Sequence, residues 1–230
     1  MIKLENLEVY GWEAAIRGMR NPMNSWNKSD TLLVKQRYCE TEEEIRLAEK
    51  CGGKAPIVKE NDMKLMKNLA KAGSDHGKFL RMINVTVDIT APLYWWKEFD
   101  TYKVGTVANS CSTMHKIQAK EFVREDFSWE HLYSPYDDED LGSAELSEYI
   151  LTGLNRYRER YLQTKNKTDW WQMIQLLPSS YNQRRTVQLN YQVLKSMYKA
   201  RWNHKLDEWV YFCEWMHDLP YFKEICLQGD

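Results

Sequence analysis

Residues 83–103 read INVTVDITAPLYWWKEFDTYK, and their pattern decides the class of the fold. Ile83, Val85, Val87 and Ile89 alternate with Asn84, Thr86 and Asp88, so the apolar set shares one face of an extended strand. Ala91-Pro92 then ends the alternation, and LYWWKEFDTYK has helical spacing with proline in the first turn and Trp95, Phe99 and Tyr102 on one side. A strand feeding a helix directly excludes an all-helical chain.

Working outward, IKLENLEVYG alternates as a short strand, and GWEAAIRGMRN is helical in spacing until Asn21-Pro22. Residues 23–38 are mixed. Thr41 with Glu44 is a capping-box pattern for a helix ended by Gly52-Gly53, and a second helix is expected from Asp62 to Ala72. Residues 105–113 are small and polar, and SPYDDEDLGS, residues 134–143, is an acidic, turn-rich break. From Ser143 onward nearly everything reads as helix, with stops near Gln163, Pro178 and Pro220. The expectation is an α+β fold: a small antiparallel sheet with flanking helices, a mostly helical C-terminal half, and one domain over residues 1–230.

Composition narrows the function. The 32 Lys and Arg against 33 Asp and Glu, in 230 residues, give a net charge of -1, which supplies no general attraction for polymeric nucleic acid or an anionic membrane. No run approaches the ~20 apolar residues of a membrane helix, and the N-terminus lacks a signal-peptide pattern, so a cytoplasmic location is expected. The five cysteines lack CxxC spacing, which points to reduced thiols and no metal site. Gly-rich nucleotide loops, HExxH and GxSxG are absent from the sequence. What remains is a set of basic, hydroxyl and amide residues in three places: residues 76–81, 97–115 and 178–204.

The order of these residues resembles the flavin-dependent thymidylate synthases, a family unrelated in fold to the cysteine-using enzymes of that activity. That family has a His opening a short helix, a strand, Ala-Pro, a helix ending in Arg-His-Arg, and a Ser-x-Asn-x-x-Ser-x-Arg-Tyr segment. Here stand His76, the strand, Ala91-Pro92, Thr101-Tyr102-Lys103, then Thr106, Asn109 and Ser112, with one added residue before Asn109. The family's second block, Leu-Pro followed by Asn-x-Arg in a long helix and then Arg and His, is matched by Leu177-Pro178, Asn190-Tyr191-Gln192, Arg201 and His204. AIRGMR, residues 15–20, is similar to the family's early helix.

The resemblance implies a homotetramer that holds FAD between subunits and reductively methylates dUMP, with methylene-tetrahydrofolate and NADPH as co-substrates. It implies that His76, Lys78, Lys103, Asn190, Gln192 and His204 face flavin, and that Glu98, Ser110, Ser112 and Arg201 face the nucleotide. No protein nucleophile is required and no catalytic residue is assigned. The departures are specific: Lys103 is the one base left of Arg-His-Arg, Met114-His115 replaces Arg-Tyr, Ile174 replaces a nucleotide-gripping arginine, and Gln192 replaces a flavin-contacting one. Each charge-assisted bond lost is worth about 1.5–3 kcal/mol. Two alternatives therefore stand beside synthase activity: a catalytically silent nucleotide-binding or oligomeric protein, and a cytosine-nucleotide C5-hydroxymethylase, in which Glu98 would accept from an amino group.

Each residue also has a plainer reading. His76 after Asp75 can cap a helix, Lys103 can be a solvated helix-end lysine, and Ser110 and Ser112 can be turn hydroxyls. Cys111, flanked by two serines, could offer a thiolate to pyrimidine C6, but the expectation is a buried, inert thiol. The aromatics of residues 94–102, Trp170-Trp171, and Trp209, Phe212, Trp215 and Met216 are expected to pack core or subunit faces.

Overall fold

The structure, a computed structural model, describes residues 2–134 and 142–227. The elements run β1 Lys3–Tyr10, α1 Trp12–Arg20, β2 Leu32–Lys35, α2 Glu42–Lys50, β3 Lys54–Ile57, α3 Glu60–Lys71, β4 Asn84–Pro92, α4 Leu93–Phe99 and β5 Val107–Ser110. They continue with α5 Ser143–Thr164, α6 Lys167–Leu176, β6 Asn182–Asn190, α7 Tyr191–Arg201, α8 Asp207–Met216 and α9 Phe222–Cys226. Most of the acidic break expected at residues 134–143 lies outside the described residues.

Four strands form a sheet in the order β1-β4-β6-β5, and β2 pairs with β3 as a separate antiparallel hairpin, Leu32 opposite Ile57 and Lys35 opposite Lys54. The alternation read in β4 is realised: Ile83, Val85, Val87 and Ile89 are fully buried while the residues between them are half-exposed. Asp88 on the opposite face accepts from Asn6 Nδ2 at 2.8 Å and Thr186 Oγ1 at 2.6 Å, pinning the register of three strands. Backbone bonds Tyr191 N to Ile83 O and Leu93 N to Tyr181 O bracket β4 and β6 and make that pair antiparallel.

By contact density the chain groups into two compact units: Thr90–Phe99 and Ser110–Arg185 with the first residues, and Leu4–Ile89, Asp100–Asn109 and residues 186–227. In the first, Ile117, Phe122, Phe127, Trp129, Leu154 and Met173 form a core, with Phe127 stacked on Trp129 at 5.0 Å. Asn155 on α5 fixes this core to the chain before it by bonding both the N–H and the carbonyl of Phe122. In the second, Tyr191 is wholly buried between the rings of Trp12 and Phe222, and its hydroxyl donates to Pro220 O at 2.7 Å. Each such large side chain removed from water contributes about 1.5–3 kcal/mol.

Several boundaries and elements differ from expectation: Pro92 ends β4 and is not in the first turn of α4, and the helical run expected up to Pro220 breaks between α7 and α8. α3 begins at Glu60, two residues before Asp62, and Asp62 is buried as an acceptor instead of opening the helix. α4 stops at Phe99, so Trp95 and Phe99 are buried on it, whereas Tyr102 lies past its end. The segment leading to Asn190 is a strand, not part of a long helix: Gln183, Val187 and Leu189 are buried in alternation with exposed Arg184, Thr186 and Gln188, and helix starts only at Tyr191. Polar residues on the outer face hid that period. The stops near Gln163, Pro178 and Pro220 agree with the ends of α5, α6 and α8.

Candidate functional site

The second unit contains a cleft of about 430 Å³ floored by the start of α7 and walled by residues 101–105. Asn190 makes both possible. It is the N-cap of α7, its Oδ1 accepting from Val193 N at 3.1 Å, and this use of the carbonyl oxygen turns Nδ2 toward Gly105. Nδ2 has no hydrogen-bond partner among the described residues, although Asn190 is only 9% exposed. Gly105 holds φ +79°, a left-handed conformation glycine adopts without the Cβ penalty, and so lets the wall fold back over the carboxamide.

Lys103 and Gln192 line the same cleft, so three of the expected flavin-facing residues, Lys103, Asn190 and Gln192, converge. Arg81 joins them from the end of a single 3-10 turn, Gly77–Arg81. It was not singled out in the sequence, where it looked like one more base in residues 76–81. No carboxylate occurs among the described lining residues, so the cleft presents two cations, two carboxamides and the positive end of α7. Thr106 Oγ1, next to Gly105, is buried without a partner among the described residues.

The remaining candidates are placed differently. His76 and Lys78 are exposed and lie outside that lining; His76 precedes the 3-10 turn, but its side chain does not cap it. Arg201 and His204 pair with each other beside the cleft: Arg201 Nη1 is 3.0 Å from His204 Nε2, and Arg201 Nε donates to Tyr102 Oη at 3.1 Å. Glu98, Ser110 and Ser112 belong to the other unit. There Glu98 is half-buried on α4, Ser110 ends β5 exposed, and Ser112 Oγ accepts from Met114 N and His115 N in a turn.

Cys111 is exposed, which corrects the expectation of a buried thiol: its backbone, not its side chain, is held, with N–H donated to Arg184 O and carbonyl accepting from Gln183 Nε2, both at 2.9 Å. Gln183 Oε1 in turn accepts from Arg185 Nε, whose guanidinium lies 4.1 Å from the Trp96 ring. Trp171 and Trp215 are not buried, unlike Trp209, Phe212 and Met216. Among the described residues no cluster of His, Cys, Asp or Glu is placed to hold a metal ion, and no helix is long and apolar enough to cross a membrane.

No family model matches the chain, and no curated protein matches it. Solved structures do. The crystal structure of thymidylate synthase X from Helicobacter pylori with FAD and dUMP superposes over 99% of both chains with a TM-score of 0.61 at 13% identity. A second, of the flavin-dependent thymidylate synthase from the same organism complexed with FAD and dUMP, covers 99% of this chain and 97% of that one, with a TM-score of 0.60 at 12% identity. The fold is that of a flavin-dependent thymidylate synthase. At 12–13% identity the likeness is one of fold; within the second unit Asn190 caps the start of α7, and Arg201 at its end lies against His204.

Proposed function

We propose that this chain is a flavin-dependent enzyme of pyrimidine-nucleotide metabolism, most simply a thymidylate synthase that uses FAD, methylene-tetrahydrofolate and NADPH to convert dUMP, and that it works as a homotetramer. The observation that carries the reading is the cleft: Lys103 and Arg81 line it with no carboxylate among the described lining residues, and the Asn190 amide is turned into it without a partner among the described residues. A cationic, donor-rich hollow favours a ligand that brings anionic phosphate and carbonyl acceptors, and FAD has both. The fold comparison supports the same choice, since both neighbouring structures hold FAD and dUMP.

In this reading Lys103 and Arg81 neutralise phosphate charge, Asn190 Nδ2 donates to a carbonyl or phosphate oxygen, and Gln192 offers a neutral donor and acceptor where the family pattern has a guanidinium. The bound flavin supplies hydride transfer. His76, Lys78 and His204 complete the proposed cofactor set, with Glu98, Ser110, Ser112 and Arg201 proposed for the nucleotide. The protein's part is to orient flavin against base and to exclude water.

The test is titration with FAD, read by quenching of flavin fluorescence, followed by assay of dUMP methylation. Saturable binding in the micromolar range supports the reading; no binding at high micromolar FAD overturns it. A second reading, a nucleotide-binding protein on this fold without turnover, draws support from Arg201, whose guanidinium is engaged by the chain's own Tyr102, His204 and Trp209. Rescue of a thymidine-requiring strain would remove that second reading.

A further inference from the structure

Tyr102 belongs to two arrangements at once. It lines the cleft, between Thr101 and Lys103, and its hydroxyl accepts from Arg201 Nε at 3.1 Å. The Arg201 guanidinium also lies over the Trp209 ring, 5.1 Å from its centroid, with the Tyr102 ring at 5.9 Å, while Nη1 meets His204 at 3.0 Å. His204 is itself fixed, its Nδ1 accepting from Leu206 N at 3.1 Å, which leaves the proton on Nε2 and makes the approach of Nη1 a packing contact; Trp209 is fully buried on α8. The two rings meet edge-on at 6.0 Å, and a cation packed beside them and tied by a directed bond has a defined position.

That position bears on what Arg201 does. Arginine grips a phosphate either side-on, through Nε and a terminal nitrogen, or end-on, through both terminal nitrogens; here Nε is committed to Tyr102 and Nη1 lies 3.0 Å from His204 Nε2, so each fork has one nitrogen obstructed. Tyr102 also stands at the middle position of Thr101-Tyr102-Lys103, where the family pattern has a histidine, so the partner that engages Arg201 is one of this chain's departures. Residues 101–105 reach from Tyr102 to Gly105, which packs on Asn190, so restraint at Tyr102 passes to both walls of the cleft.

We propose that Arg201 is a positioning residue, a latch that holds residues 101–105 through Tyr102 and so sets Lys103 and Asn190 in the cleft, instead of gripping the nucleotide itself. The inference rests on the reading of the cleft as the flavin site only for its functional consequence; the latch is a contact within this chain.

Hydrogen exchange of the full-length protein separates the two. Y102F removes one oxygen and keeps the ring, so it reports on the latch even where R201A fails to fold. The expected result is about tenfold faster exchange across residues 101–105 in Y102F and in R201A, with the double variant no faster than either single, because one interaction is broken only once. FAD affinity falls about tenfold in parallel in both singles. Unchanged exchange in Y102F, or additive effects in the double variant, overturns the latch. So does a neutral Y102F beside an R201A that loses more than tenfold in dUMP affinity, which would make Arg201 a nucleotide ligand. If no form binds FAD, the proposed function fails, and the exchange rates alone still decide the latch.

Discussion

Asn190 and Gly105 stand so close that a Cβ built on Gly105 would lie 3.0 Å from Asn190 Nδ2 and 3.2 Å from Val193 Cγ2. The cleft wall is therefore defined by a missing side chain as much as by those present. Gly105→Ala imposes both a left-handed alanine, costing about 1–2 kcal/mol, and a displaced carboxamide. Gly52→Ala is the control, because Gly52 has φ +63° with nothing within 4 Å of the added atom. Urea denaturation should show a larger loss for Gly105→Ala, and FAD titration a loss for that variant alone. Equal losses of stability would show that the Asn190 contact costs nothing.

Asn190 carries two separable duties. Asp and Asn are equivalent at an N-cap, so Asn190→Asp keeps the bond to Val193 N and should leave the melting temperature within a few degrees. The same change puts a carboxylate in a cleft built of donors. Affinity for FAD should fall at least about tenfold, whereas Asn190→Ala should lose about 1 kcal/mol of stability as well. Retained FAD affinity in Asn190→Asp would place the cofactor elsewhere.

Asp62 is the buried acceptor on which α1, α3 and the chain at residues 29–31 depend. It receives Arg20 Nε at 2.7 Å, Ser29 Oγ at 2.8 Å, and Asp30 N, Thr31 N and Thr31 Oγ1 at 2.7–3.0 Å. Burial acts to raise its pKa, but the bonds from Thr31, Ser29 and Arg20 outweigh it and hold the carboxyl below its ordinary value. Its stabilising contribution is thus complete above its unfolded pKa of about 3.9 and is lost as pH falls through the lower folded value. Asp62→Ala should cost about 3–5 kcal/mol near neutrality by leaving Arg20 buried and unpaired. The gap between wild type and variant in urea should narrow below about pH 4; a gap independent of pH would rule out an ionised Asp62.

The five thiols should fall into two kinetic classes with a thiol-reactive disulfide reagent. Burial pushes the thiols of Cys51, Cys213 and Cys226 up to about 12, so they should react only on unfolding. Exposed Cys111 should react first and half-buried Cys39 more slowly, its pKa raised by partial burial and by the charge of Glu44. The three buried thiols stabilise the fold fully below about pH 9, and that contribution is lost as pH rises toward about 12. Alkaline unfolding without the release of three slow thiols would contradict this burial.

Much of the fold was legible where one face of an element is strictly apolar. β4 could be read from Ile83, Val85, Val87 and Ile89, and the capping box at Thr41 and Glu44 is formed as the spacing implies. β6 was not legible, because Arg184, Arg185, Thr186 and Gln188 swamp the buried Val187 and Leu189, and the β2-β3 hairpin was not, because most of its side chains are exposed or half-exposed. Lys103, Asn190 and Gln192, expected from their order along the chain to share a site, do line one cleft, whereas nothing near Arg81 in sequence marks it as their neighbour.

The sequence by itself determined which residues alternate, which cap and which are ionic, for these are local properties of spacing and side-chain chemistry. It also set the near-neutral charge. Only the tertiary structure decided that Asn190 spends its oxygen on α7 and leaves its amide in a cleft, that Gly105 closes against it, and that Arg201 is engaged by Tyr102, 99 residues away. Those outcomes depend on bond direction and on contact between distant segments, which no one-dimensional pattern specifies.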